Sequence, residues 1–328
     1  MTRVFHTCFL FLSSISLLEV VTACASHQGG YENIDFDSVV AVNNKFRLEN
    51  RSAPSPNTKF AINNVRVFDG SKLLAPSTVV ISGGVIGTDS TGAEHIDGNN
   101  GVLLPGLMDT HCHPSNITNL QELTRWGITT AMVMACFSPE ACRSLQNHTG
   151  LTDVLLGSAA AAAPNSSHGN LIAGMNLPET LLVTNSSDAA PWIDSQVAWR
   201  PDFIKLVAET PGLSQETLNA LSAEAHKWNK RVVGHAAVLS AYEQAAIAQV
   251  DQIHHAPLDK HITAALVAKI LKQKQACAPT LTMMKGTAQN RPSANNYTYA
   301  ETAVRVLYKA GVPIIAGTDA NYQPNGAM

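Results

Sequence analysis

From Phe60 to about Gly101, short runs such as "FAINNVRVFDG" and "STVVISGGVIG" alternate apolar and polar positions and are divided by Gly, Asp, Ser and Asn. A period of two between turn residues predicts a small β domain. After Gly101 the rhythm changes. Eight apolar runs ("VLLPGLMDTH", "ITTAMVMA", "DVLLGSAA", "DFIKLVA", "RVVGHAA", "QIHHA", "ACAPTLT", "PIIAGTDA") alternate with stretches of helical periodicity. In "SQETLNALSAEAHKWN" Ser214 is placed to cap a helix, and "NYTYAETAVRVLYKAG" stops at Gly311. Repeated β/α units of this kind predict an α/β chain folded as a (β/α)8 TIM-type barrel, with helices outside a parallel ring. A doubly wound open sheet is the competing architecture, but no glycine-rich dinucleotide loop follows the first strand.

The stretch ahead of the β domain reads differently. Residues 1–25 carry one basic residue, an apolar run of roughly fifteen residues interrupted by Glu19, and a small-x-small ending at Ala23 and Ala25. This predicts a secretory signal and a secreted protein, with a lipobox at Cys24 as the alternative. Residues 26–57 are a polar linker, residues 58–101 the β part and residues 102–328 the barrel. Sequons at Asn50, Asn116, Asn147, Asn165, Asn185 and Asn296 point to a eukaryotic glycoprotein. Of six cysteines, Cys8 and Cys24 lie in the leader; Cys136 and Cys142 are close enough to bridge, and Cys112 and Cys277 read as buried thiols.

Hydrophobic residues make up 45% of the chain and charged ones 14%, which suits a large interior. A net charge of −3 leaves no footprint for nucleic acid or an acidic membrane. The expected partner is a small molecule, with no nucleic acid and no stable membrane partner; homo-oligomerisation is left open.

The polar exceptions to the apolar pattern carry the chemistry. In "MDTHCH", side-chain alternation puts Asp109, His111 and His113 on one face and Thr110 and Cys112 on the other. Two imidazoles spaced so can bind one metal ion, or can be a surface pair at a strand exit. Lys205 in "DFIKLVA" lies amid apolar residues, on the barrel-facing side with Phe203 and Val207. An unpaired ammonium is costly there, so the lysine needs a partner, a changed chemical form, or a route for its head to solvent. His235, His255 and Asp319 stand at later strand exits, and only one of His254 and His255 is expected to point inward. His168, in "PNSSHGN" after the third strand, is a candidate substrate contact or an ordinary loop histidine.

On "PGLMDTHCH", "IKLVA", His235, the pair His254 and His255, and Asp319, the chain from about Phe60 to Ala320 resembles the amidohydrolase superfamily, in the branch of imidazolonepropionase-like and prolidase-like metal-dependent hydrolases. The resemblance implies two divalent ions, zinc being best suited to these donors. It assigns His111 and His113 to the more buried ion, a carbamate on Lys205 to bridge both ions, and His235, His255 and Asp319 to complete the set. It implies hydrolysis of a carbon–nitrogen bond in an amide, dipeptide or cyclic amide by metal-activated hydroxide, with Asp319 as general base and then acid. The chain departs from the family in three places: His254 stands where glutamate is common, Ala256 replaces glycine, and the sequence stops at Met328, directly after the eighth strand, where a further helix and returning strands are expected. Two rivals stay open: a lactone or phosphoester hydrolase on the same site, and a truncated, non-catalytic metal-binding protein.

Overall fold

The computed structural model describes residues 8–10 and 59–321. Apart from residues 8–10, the expected leader and linker lie outside the described residues. The chain divides into two compact units between Gly106 and Leu107.

The first unit is a six-stranded sheet of β1 (Cys8–Leu10), β2 (Lys59–Phe68), β3 (Leu73–Ser82), β4 (Val85–Gly87), β5 (Glu94–Asp97) and β6 (Val102–Pro105). Its order is β1-β6-β2-β3-β4, with β5 also on β2. The β3–β4 hairpin turns through Gly83 and Gly84, both at positive φ (55° and 76°), which a two-residue turn of this hand requires and glycine supplies without strain. Ile62, Val65 and Leu103 form its small core. "VLLPGLMDTH", read above as one strand, is two. Val102–Pro105 pairs with β2 in the first unit, and the second unit starts beyond Gly106.

The second unit holds seven strands, each parallel to the next: β7 (Leu107–Cys112), β8 (Ile128–Val133), β9 (Asp153–Ala161), β10 (Phe203–Val207), β11 (Arg231–His235), β12 (Gln252–His254) and β13 (Ala276–Ala278). Its helices are α1 (Ile117–Arg125), α2 (Pro139–Arg143), α3 (Ser167–Gly174), α4 (Ala189–Val197), α5 (Gln215–Lys227), α6 (Leu239–Ile247), α7 (Ala264–Lys272), α8 (Leu281–Asn290) and α9 (Tyr297–Lys309). Caps appear where the sequence placed them. The Ser214 side chain accepts from the Thr217 amide at the start of α5, and α9 gives way to Gly311 at φ 86°.

The eighth apolar run is not a continuous strand. It touches β13 through Cys277 N–H to Pro313 O and Ile315 N–H to Cys277 O, both 2.9 Å. On its other side Thr110 N–H donates to Ala316 O, Asp319 N–H to His111 O and His113 N–H to Ala320 O, at 2.7 to 2.8 Å. These bonds complete the ring between β13 and β7.

Alternation sorts the side chains of β10. Ile204 and Leu206 face outward into the core shared with Trp192 of α4 and Leu218 and Leu221 of α5. Burial of such a side chain stabilises by about 1.5–3 kcal/mol. Phe203 faces inward and packs with Met132, Met134 and Val233. Gly157 of β9 makes room for it: a Cβ there would lie 2.7 Å from the Phe203 ring. Cys136 and Cys142 form a disulfide between the exit of β8 and α2, while Cys112 and Cys277 are free and buried. Among the described residues no helix is long and apolar enough to cross a membrane.

Candidate metal centre

The unusual residues of the barrel lie at the carboxyl ends of its strands. His111 of β7 is buried, and His113, just past the strand, is half-buried. Asp319 reaches both, with its Oδ1 3.4 Å from His111 Nε2 and 3.2 Å from His113 Nε2. The potential ligand atoms of these three residues all lie within 4.8 Å of one another. His255 approaches the same carboxylate, its Nδ1 3.6 Å from Asp319 Oδ2. The His255 ring centroid is 4.8 Å from that of His111 and 4.3 Å from that of His235. His235 thus joins the group through His255.

Lys205 sits inside the ring, in register with Ala160 of β9 and Val233 of β11. It is 4% exposed, and its Nζ has no hydrogen-bond partner. Burial pushes the ammonium down to about 8, while Asp319 pulls the other way. An orphaned buried nitrogen facing imidazoles and a carboxylate fits a group that would convert it into a metal-bridging anion. Burial first, then the Lys205 charge, pushes His111, His254 and His255 well below the ordinary imidazole value. Burial does the same to His235. Neutral imidazoles are the form that binds metal.

A second carboxylate delivers Asp319. Buried Asp109 accepts from the His111 amide (3.0 Å), the Thr318 amide (3.1 Å) and the Thr318 hydroxyl (2.6 Å). The closing segment is thereby stapled to β7 one residue before Asp319. Gly317 permits the approach, since a Cβ there would meet His111 Cβ at 3.0 Å. Asp319 itself takes φ 59°, which turns its side chain toward the histidines at a backbone cost.

The structure departs from the expectation for His254 and His255. Both imidazoles are buried and both reach His111. The alternation rule lapses because β12 ends at His254 and His255 adopts φ 75°, a left-handed turn that swings its ring to the same side. Tyr242 fixes that turn by donating its hydroxyl to His255 O (2.8 Å), and Thr280 Oγ1 lies 2.9 Å from His255 Nδ1.

His168, at the start of α3, packs edge-on against His235 at 4.4 Å between centroids. Sequence reasoning missed its partner, Glu209, which takes the His168 amide and Nδ1 at 3.0 Å each. Burial raises the Glu209 carboxyl, but bonds from His168 and Ser166 outweigh it and leave it lowered overall. The available signal was an acid four residues beyond Lys205, just past the strand.

No family model matches the chain. Proteins described as uncharacterized from Mycobacterium bovis and Mycobacterium tuberculosis are 26% identical over 251 residues, which cover 68% of this chain and 65% of theirs. The chain thus spans about two thirds of the length of these relatives. Among solved structures, a Xaa-Pro dipeptidase with bound methionine in its active site superposes with a TM-score of 0.66 at 18% identity, over 82% of this chain and 81% of its own. A. niger ochratoxinase superposes with a TM-score of 0.61 at 17% identity, over 82% of this chain and 77% of its own. Molinate hydrolase gives 0.61 at 15%, over 81% and 74%. The barrel fold is the one these hydrolases share.

Proposed function

We propose that this chain is a metal-dependent hydrolase of the amidohydrolase superfamily, in its prolidase-like branch, that cleaves a carbon–nitrogen bond in a small amide, dipeptide or cyclic amide. The observation that carries the reading is the unpartnered Lys205 Nζ, buried in the same barrel mouth as His111, His113, His235, His255 and Asp319. A carbamate on Lys205 would replace an unfavourable buried cation by an anion able to bridge two divalent ions, zinc being best suited to the imidazole and carboxylate donors. Such ions, when bound, lower the pKa of a coordinated water and polarise a carbonyl.

The chain's own residues do the rest. Asp319 Oδ1, between His111 Nε2 and His113 Nε2, is placed to take a proton and return it to the leaving amine. His168, held by Glu209 beside His235, is placed to hydrogen-bond the substrate. Ala160 of β9, Ala162 just past it, Ile172 of α3 and Val207 of β10 form a buried apolar cluster. The Cys136–Cys142 bridge supports an oxidising compartment and hence the secretory route read from the leader.

The test is elemental analysis of purified protein together with a panel of dipeptides, N-acyl amino acids, lactones and phosphotriesters. About two zinc equivalents per chain and chelator-sensitive turnover of amides are expected. Turnover confined to lactones or phosphotriesters would keep the site and reject the substrate class; a folded protein that takes up no metal would reject the reading altogether.

A further inference from the structure

We infer that His254, oriented by Gln252, is a positioning residue that fixes which ring nitrogen of His111 presents a lone pair to the centre. The inference rests on the metal-binding reading above. His111 Nδ1 and His254 Nδ1 lie 2.8 Å apart, and both side chains are buried. Two neutral imidazole nitrogens at that distance share a single proton, so one donates and the other accepts.

The far side of His254 decides which. Its Nε2 lies 3.0 Å from Gln252 Oε1, an amide oxygen that only accepts. His254 therefore carries its proton on Nε2, its Nδ1 is the acceptor, and the proton between the rings belongs to His111 Nδ1. His111 Nε2, 3.4 Å from Asp319 Oδ1, is left with a bare lone pair on the side where His113 and Asp319 converge. The reverse arrangement, reached by turning the Gln252 amide over, would put N–H on that nitrogen and block it as a ligand.

Strand geometry makes the relay. Ile253 of β12 faces outward into the helix-packed core, so Gln252 and His254 on either side of it both face inward, one above the other. A carboxylate at position 254 would accept the His111 proton unaided. Histidine, which can donate or accept, does so only because Gln252 holds its other nitrogen.

Long-range ¹H–¹⁵N spectra of the full chain, labelled at histidine and free of zinc, are expected to show a protonated Nδ1 and a bare Nε2 on His111, with a protonated Nε2 on His254. A protonated Nε2 on His111 overturns the inference. In zinc titrations, His254→Phe and the milder Gln252→Leu should each weaken the tighter zinc equivalent about 10- to 100-fold, the usual scale for groups that orient a metal ligand. His254→Glu should restore affinity to within about threefold of the parent, because it accepts without help. Parent-like zinc affinity in both His254→Phe and Gln252→Leu overturns the inference, and if His254→Phe does not fold, Gln252→Leu and the spectra decide. A parent chain that binds no zinc rejects the proposed function instead, and the spectra still decide the tautomer.

Discussion

Lys205 shows at the scale of one residue how a site can work against stability. Its nitrogen is buried without a partner, and burial, opposed by the Asp319 charge, brings its ionisation down to about 8. At neutral to mildly alkaline pH a share of the side chain is therefore the neutral amine, the form able to add carbon dioxide with release of a proton. Replacement by methionine keeps the length and apolar stem and removes the charge. Lys205→Met is expected to weaken zinc binding at least about a hundredfold. The metal-free variant should nonetheless be as stable as the parent or more so, by about 1–3 kcal/mol, because a buried unpaired polar group has gone. Zinc titration and denaturant melts check the two halves, and a variant that keeps its metal would remove Lys205 from the site.

At the scale of elements, the closing segment over residues 313–320 is the part that turns seven strands into a site. It is irregular because it must do two things: bond to β13 and β7, and aim Asp319 inward at φ 59°. The Asp109–Thr318 staple supports that conformation. Burial raises the Asp109 carboxyl, and the bonds from Thr318 and His111 oppose the rise, so removing one donor exposes the full burial cost. Thr318→Val deletes the 2.6 Å bond to Asp109 and the one its hydroxyl accepts from the Ala320 amide, at nearly constant volume. We expect a loss of about 1.5–3 kcal/mol in urea melts, with weaker zinc binding. Unchanged melts would show that the backbone bonds alone hold the segment.

For the whole molecule, the buried histidines set the pH behaviour of the metal-free protein. His111, His254 and His255 are held well below the ordinary value of 6.5, so the native state keeps them neutral where the unfolded chain takes up protons. Stability from this source is complete above about pH 6.5 and is lost as pH falls below it, at up to about 1.4 kcal/mol per pH unit for each histidine. Lys205, lowered from 10.5 to about 8, contributes with the same sign between pH 8 and 10.5, whereas the buried Cys112, Cys277 and Tyr242, all held above their ordinary values by burial, contribute with the opposite sign as pH rises. Melting temperatures should fall from pH 8 down to 5, and from pH 8 up to 10.5 Lys205→Met should lose more stability with rising pH than the parent. A flat acid limb would mean that these imidazoles are not held neutral.

The β/α rhythm, the strand-exit positions of His111, His113, His235, His255 and Asp319, and the inward face of Lys205 were all legible in the linear chain. Periods of two and of three to four report local faces, and a charge or imidazole interrupting an apolar run stands out against them. Contacts were not legible. The Asp109–Thr318 bonds join residues 209 apart in sequence, and the Glu209–His168 clamp joins residues 41 apart. Both exist only once the ring has closed. The inward turn of His255 depends on the sign of one φ angle, and the break of the first apolar run at Gly106 depends on which sheet each half joins. A sequence determines which faces must be buried; bond directions at strand ends are decided where distant segments meet, because only there do the buried polar groups find the partners that burial demands.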